Sequence, residues 1–532
     1  MMKKAIKKLL AALLAVAMVC AMAIPAFAGT EGDITTWHSF SAFQIFTGNV
    51  EGNVSNDFKI SNVAWGSNIA DDAAAFLDQL KSADTIGPLF ANAHSAQDVL
   101  EVISQWKDSD ANSIAFARFV CHYLYPNANA NPTPAVTGGS DALTFNEAGY
   151  YLIVDTTPFN PGDFDHAYNS FLLKVTKANW REPITPKAEK PSVEKKVFDN
   201  QDGTSTGVFG SSADHAINEK FQFQLTATLP ASTDHAYDYY DTYAVCFKDT
   251  LSQGITYDGL DSVVIESKGN PGNRYDITDS STIDISKLES QNYFEVNIPD
   301  VKTCAEGLDL NKGATITVTY TAHLNDKAYV NTGSGSTENK NSVQLQYSNN
   351  PRPGEYWGTT PKSEVYVYTY QLNNTKYRDD AKEGNELAGA GFHLYSDEEC
   401  KNEVELYQKD GFYFPIKDST DKDKEPVAMF SDNKGQFNVK GLDAGTYYLK
   451  ETNTPAGYSA CKVIPVTIKA DHSGNHVTLS GDLNNKIVNK KAGGITLPST
   501  GGIGTTIFYV VGGGLMVAAI VLLVTKKRME NK

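Results

Sequence analysis

Tyr447-Tyr448-Leu449-Lys450-Glu451-Thr452-Asn453-Thr454-Pro455-Ala456-Gly457-Tyr458 is the most informative stretch of the 532-residue chain. Side chains on a strand alternate between faces, so Tyr447, Leu449 and Glu451 share one. If that face is the core, a carboxyl is buried in it. An unpaired buried carboxylate is so costly that Glu451 must be neutral or paired. The same parity sets Tyr370, Leu372 and Lys376 on one face upstream, and Ile487 and Asn489 on one face downstream. A lysine, a glutamate and an asparagine all directed inward are wasteful as packing and make sense as reactants.

Outward from this stretch, the block from Lys376 to about Asn489 is β-rich, with Leu387–Tyr395, Gly435–Val439 and Gly441–Thr446 among its runs. The block resembles the CnaB-type domain of Gram-positive pilins, in which the pattern YxLxETxxPxGY carries a glutamate in the place of Glu451. The resemblance implies a self-made isopeptide bond. Lys376 is the nucleophile, Asn489 supplies the side-chain carbonyl, and protonated Glu451 polarises that carbonyl and shuttles protons as ammonia leaves.

Before this block, residues 183–191 hold three prolines in nine and read as an extended linker. After the linker, Phe221–Leu229, Tyr243–Leu251, Ala314–Leu324, Ser342–Tyr347 and Glu364–Leu372 alternate between Asp/Gly/Asn turns, and no convincing amphipathic helix intervenes. This is the pattern of a β-sandwich. Val193, Lys195 and Val197 share a face, as do Val245, Phe247 and Asp249, and Asn341 has the parity of Val343, Leu345 and Tyr347. The region is similar to the CnaA-like middle domain of the same pilins, where Lys, Asp and Asn make the equivalent bond. That implies Lys195, Asp249 and Asn341 here. Parity prefers Lys195 to Lys196, which pairs in register with Glu194; it does not separate Asn341 from Asn339 or Asn349.

From Trp37 to about Trp180 the chain mixes types. Asp71–Leu80, Ala96–Trp106 and Ala111–Leu124 carry helical periodicity, whereas Tyr150–Val154 and Phe171–Leu173 read as strands. The expected fold class is mainly β: tandem immunoglobulin-like β-sandwich domains after an α+β N-terminal domain. The expected divisions are 1–28, 29–185, 186–370, 371–492 and 493–532. With no glutamate pattern in the first domain, no cross-link is expected there.

The ends give the destination. Lys3, Lys4, Lys7 and Lys8 precede an apolar run from Leu9 to Ile24, and Ala26-Phe27-Ala28 is a cleavage site for secretion, with the cut after Ala28. At the other end, Leu497-Pro498-Ser499-Thr500-Gly501 precedes an apolar segment, expected as a transmembrane helix over 505–525, and then Lys526-Lys527-Arg528. The three parts in order resemble the cell-wall sorting signal of Gram-positive surface proteins. The resemblance implies that sortase cuts between Thr500 and Gly501 and passes the Thr500 acyl group to an amine. Trp180-Arg-Glu-Pro-Ile184-Thr-Pro186-Lys187 resembles the pilin motif WxxxVxVYPK, with its Val-Tyr compressed away. It implies Lys187 as the accepting amine, with Lys190 as the fallback.

Composition sets limits on the rest. A formal net charge of −17 argues against a nucleic-acid partner. Of six cysteines, Cys20 leaves with the signal; the rest show no metal spacing, and Cys400 with Cys461 is the one pairing suggested, against buried free thiols. The sequence offers no metal site, cofactor or nucleophile–base set, so it does not read as an enzyme. As a whole the chain resembles the major (backbone) subunit of a sortase-assembled pilus. The implied partners are copies of itself, pilus and housekeeping sortases, peptidoglycan and ancillary pilins, with host surface ligands left open. A non-polymerising wall-anchored adhesin or ancillary pilin, an anchored enzyme and a plain stalk are the alternatives.

Overall fold

A computed structural model of the chain describes residues 39–492 except 56, 108–109, 140–141, 158–170, 185–189, 201–206, 234, 270–271, 333–338, 355–356, 418–423 and 474–475, together with residues 515, 519, 521, 523 and 526. The expected signal segment with Ala28, Lys187 and Leu497–Gly501 lie outside the described residues, as does nearly all of the expected span 505–525. Among the described residues no helix is long and apolar enough to cross a membrane.

Strand alternation organises most of the chain, and the sheets fall into three successive groups. In the first, β1 (Phe40–Glu51), β2 (Lys59–Trp65), β3 (Gly149–Asp155) and β4 (Leu172–Thr176) form a sheet in the order β2-β1-β3-β4. Helices α1 (Ala73–Ser82), α2 (Ala96–Ile103) and α3 (Ala111–Leu124) share its core, with Phe76, Val99, Leu100 and Phe116 buried against Phe43 and Leu152. Ser95 caps α2 by accepting a hydrogen bond from the Asp98 amide.

The middle group is a two-sheet sandwich. One sheet holds β5 (Ser192–Asp199), β7 (Lys220–Leu229), β9 (Ile255–Ser267) and β11 (Ala314–Leu324), in the order β9-β11-β7-β5. The other holds β6 (Ser212–Asp214), β8 (Val245–Leu251), β10 (Tyr293–Ile298), β12 (Asn339–Ser348) and β13 (Ser363–Tyr368), in the order β6-β13-β12-β8-β10. Every second residue of β11 is buried from end to end, because this central strand presents one face to the facing sheet.

The last group is again two sheets. β14 (Tyr370–Arg378), β16 (Phe412–Pro415), β17 (Val439–Leu442) and β21 (Asn484–Asn489) run in the order β16-β17-β14-β21; β15 (Gly391–Tyr395), β18 (Gly445–Asn453), β19 (Ile464–Ser473) and β20 (His476–Gly481) follow one another in the second. The first and last strands, β14 and β21, are parallel neighbours, with Lys376 beside Ile487 and Arg378 beside Asn489.

Two expectations change. The run Glu364–Leu372 is two strands, because the chain crosses at Thr369 from the middle sandwich into the last one; Thr369 is fully buried there and its hydroxyl donates to the Leu442 carbonyl. Pro183, the first residue of the expected linker 183–191, ends a strand (Trp180–Pro183) paired with Ala142–Phe145 of the first group.

Candidate functional site

In the last sandwich, β14, β18 and β21 bring three side chains to one buried point. Lys376 and Asn489 are 0% and 1% exposed, and the Glu451 side chain has no accessible surface, its remaining exposure lying in the backbone. The Lys376 Nζ donates to Asn489 Oδ1 at 2.6 Å and lies 3.4 Å from Glu451 Oε2. The Asn489 amide nitrogen donates to Glu451 Oε1 at 2.6 Å, and the Cys461 backbone N–H donates to Oε2 at 2.8 Å. Phe392 shields the ammonium, which sits 5.0 Å from its ring centroid. The position of Lys376 is fixed from outside by Gly435, whose φ of +72° and close approach to the Lys376 carbonyl leave no room for a side chain.

Burial pushes the Glu451 carboxyl up, but the Cys461 N–H, the Asn489 amide, the Cys461 thiol and the Lys376 charge together outweigh it and hold it below its usual range. Glu451 is therefore paired through both oxygens, with its carboxyl held toward the charged form. One of its oxygens, Oε2, faces the Lys376 nitrogen and the other, Oε1, the Asn489 amide nitrogen.

The middle sandwich holds a second buried set, spread across its two sheets. Lys195 on β5 forms an ion pair with Asp249 on β8, and both side chains are wholly inaccessible. Tyr320 on β11 joins the set: its hydroxyl accepts from Lys195 Nζ at 3.0 Å and from the Asn341 amide at 2.5 Å, and donates to Asp249 Oδ1 at 3.1 Å. Burial brings the Lys195 amine down to about 8, against the opposing pull of Asp249; burial also raises the Asp249 carboxyl. Among the described residues Asn341 Oδ1 has no hydrogen-bond partner.

The ambiguities of parity resolve geometrically. Asn341 alone of the three asparagines meets the Lys195 set. The Asn339 side chain is taken up by the backbone of Tyr329 and Val367. Asn349 packs beside Gly358, away from the set. Lys196 points outward to Glu194 at 3.3 Å. Tyr320 was missed in the sequence; its only signal was an inward position on a strand of alternating pattern. Also missed was Lys174, buried in the first group in a 3.1 Å ion pair with Glu182. Lys190 is half-buried.

The expected Cys400–Cys461 disulfide is corrected: both are free thiols. Cys461 is drawn to the Glu451–Lys376 centre, whereas Cys400 occupies a turn beyond β15 in a left-handed conformation and directs its thiol to the Glu398 carbonyl.

Comparison with known families assigns the last sandwich and the C-terminus. Residues 372–482 match the SpaA prealbumin-like fold domain, and residues 489–531 match the LPXTG cell wall anchor motif of Gram-positive bacteria. The chain is a wall-anchored surface protein bearing a SpaA domain. No curated protein sequence matches it. Among solved structures it is similar to the T6 backbone pilin of Streptococcus pyogenes serotype M6, at 16% identity over 86% of this chain and 96% of that one, with a TM-score of 0.45. It is also similar to a C-terminal fragment of the major pilin GBS80 of Streptococcus agalactiae (20% identity, 57% and 100% coverage, TM-score 0.39). The full-length major pilin SpaD of Corynebacterium diphtheriae is a third (18%, 65% and 77%, 0.39).

Proposed function

We propose that this SpaA-domain protein is the backbone subunit of a covalent surface pilus, strengthened by two isopeptide bonds of its own making. The observation that carries the reading is the buried contact of Lys376, Glu451 and Asn489 in a chain that ends in a wall anchor. Such a centre has no use in a passive core, where an amine and an amide each lose solvation. In the reaction Lys376 Nζ bonds to Asn489 Cγ and the Cγ–Nδ2 bond breaks. Glu451 Oε2 takes the extra proton of the Lys376 ammonium; the carboxyl then gives a proton to Nδ2, which leaves as ammonia, and receives the second amine proton, ending as the neutral acid. The core supplies the orientation that makes amide attack feasible. In the middle sandwich Lys195 and Asn341 are the partners, Asp249 is the proton carrier, and the Tyr320 hydroxyl positions the amide.

Between subunits, sortase joins Thr500 of one chain to Lys187 of the next, and the growing end is transferred to peptidoglycan. Boiled, detergent-treated wall extracts test this by immunoblot with wild-type and Lys187→Ala chains. A high-mass ladder that collapses to monomer in the variant is the expected result. A ladder that survives moves the linkage to another lysine, Lys190 first. A single monomer-sized band in both replaces the pilus with a solitary anchored adhesin.

A further inference from the structure

His215, Glu219 and Asp443 meet where the middle and last sandwiches touch, with one ligand-type atom from each within 4.8 Å of the others. The first two follow β6 and the third follows β17, so the group exists only while the two sandwiches are docked. The docking is close. The Ile217 amide donates to the Gly441 carbonyl at 2.9 Å, and a side chain at Gly441 (φ +81°) would collide with Ile217.

His215 is 1% exposed. Its ring stacks on Phe221 at 4.2 Å, and its Nε2–H donates to the Phe198 carbonyl at 2.7 Å. That bond fixes the tautomer, leaving the Nδ1 lone pair inward, 4.0 Å from Glu219 Oε1. Among the described residues Nδ1 has no hydrogen-bond partner. A buried lone pair aimed at carboxylates is repulsive unless a cation stands between them. An imidazole whose second nitrogen is tied to a backbone carbonyl is the usual setting of a metal-ligating histidine.

We propose that His215 Nδ1, Glu219 and Asp443 bind a divalent first-row transition ion of the Zn2+ class, which staples the two sandwiches together. Mixed imidazole and carboxylate donors suit such an ion better than Ca2+, which prefers oxygen throughout. Glu219 is held in place by Asn200, which donates to Oε1, and by the Ala216 amide, which donates to Oε2, with Lys417 also 3.5 Å from Oε2. A cleft of about 580 Å3, lined by Glu219, Asp443, Glu403, Glu405 and Lys417 among others, gives an ion a polar way in. A second cluster on this interface, Asp199, Asp214 and His472, lacks an open donor of this kind. Its His472 is hydrogen-bonded at both nitrogens, to Ser212 and to Asp214, each at 2.8 Å.

Zn2+ titration of the full-length chain by calorimetry, after treatment with chelator, tests the site. The expected result is about one ion per chain, with affinity lowered at least ten-fold in both His215→Gln and Asp443→Asn and unchanged in His472→Gln. Intact mass and a cooperative melt establish that each variant is folded. No binding by the wild-type chain overturns the proposal. So does binding that survives both substitutions, or binding abolished by His472→Gln alone.

Discussion

At Glu451 two effects oppose each other: burial favours the acid, and four donors favour the carboxylate. The donors win, and on the proposed reading this suits Glu451 to accept the proton that Lys376 gives up. Glu451→Ala removes the carrier and leaves the amine and amide apart. The chain should then be heavier by one ammonia mass than the same variant sequence carrying both cross-links. It should also lose a cross-link worth about 4–5 kcal/mol, by analogy with disulfides closing loops of this length. The corresponding fall in melting temperature is on the order of 10 °C or more, readable by calorimetry. Lys195 gives a pH dependence. Its amine is lowered from the ordinary lysine value to about 8, so the reactive neutral form is scarce below that pH, grows through it and saturates above. The middle cross-link in freshly refolded chain should therefore form about ten-fold faster one unit above pH 8 than one unit below, as followed by mass against time.

At the scale of the element, the reacting atoms meet because strands hold them. Leu449 lies two residues before Glu451 on β18 and is fully buried, so it sets the height at which the carboxyl enters the core. Leu449→Ala, made in the Glu451→Ala chain so that no cross-link masks the effect, should cost about 2–5 kcal/mol; denaturant unfolding measures it. Much of this was legible in the sequence. Period-two alternation reveals which residues face inward, and it singled out Lys376, Glu451 and Asn489 without any structure. Alternation says nothing about which strands are neighbours. Hence Asn339, Asn341 and Asn349 stayed equivalent until β8 and β12 paired. For the same reason Tyr320 reads in the sequence only as a core residue, and alternation does not decide between a Cys400–Cys461 pair and free thiols, which the fold leaves free. The crossing at Thr369 was hidden because two strands in different sheets continue one apolar pattern.

Over the whole molecule, the placement of the two centres decides how force travels. Tension enters the last sandwich at the start of β14 and leaves at the end of β21. On the proposed reading, a bond from Lys376 to Asn489 would bridge these two strands and bypass a loop of 113 residues. A bond from Lys195 to Asn341 would, on the same reading, tie together the two sheets of the middle sandwich. Single-molecule pulling on the wild-type chain should leave the shielded loop unextended. Glu451→Ala should add an unfolding step of about 380 Å for 113 residues of extended chain.

The most direct test is the intact mass of the purified chain under denaturing conditions. The expected mass is lower than that of the sequence by two ammonia molecules, with branched peptides joining Lys376 to Asn489 and Lys195 to Asn341 after digestion. A chain at its full sequence mass would contradict the self-cross-linked subunit, whatever the geometry of the two buried centres.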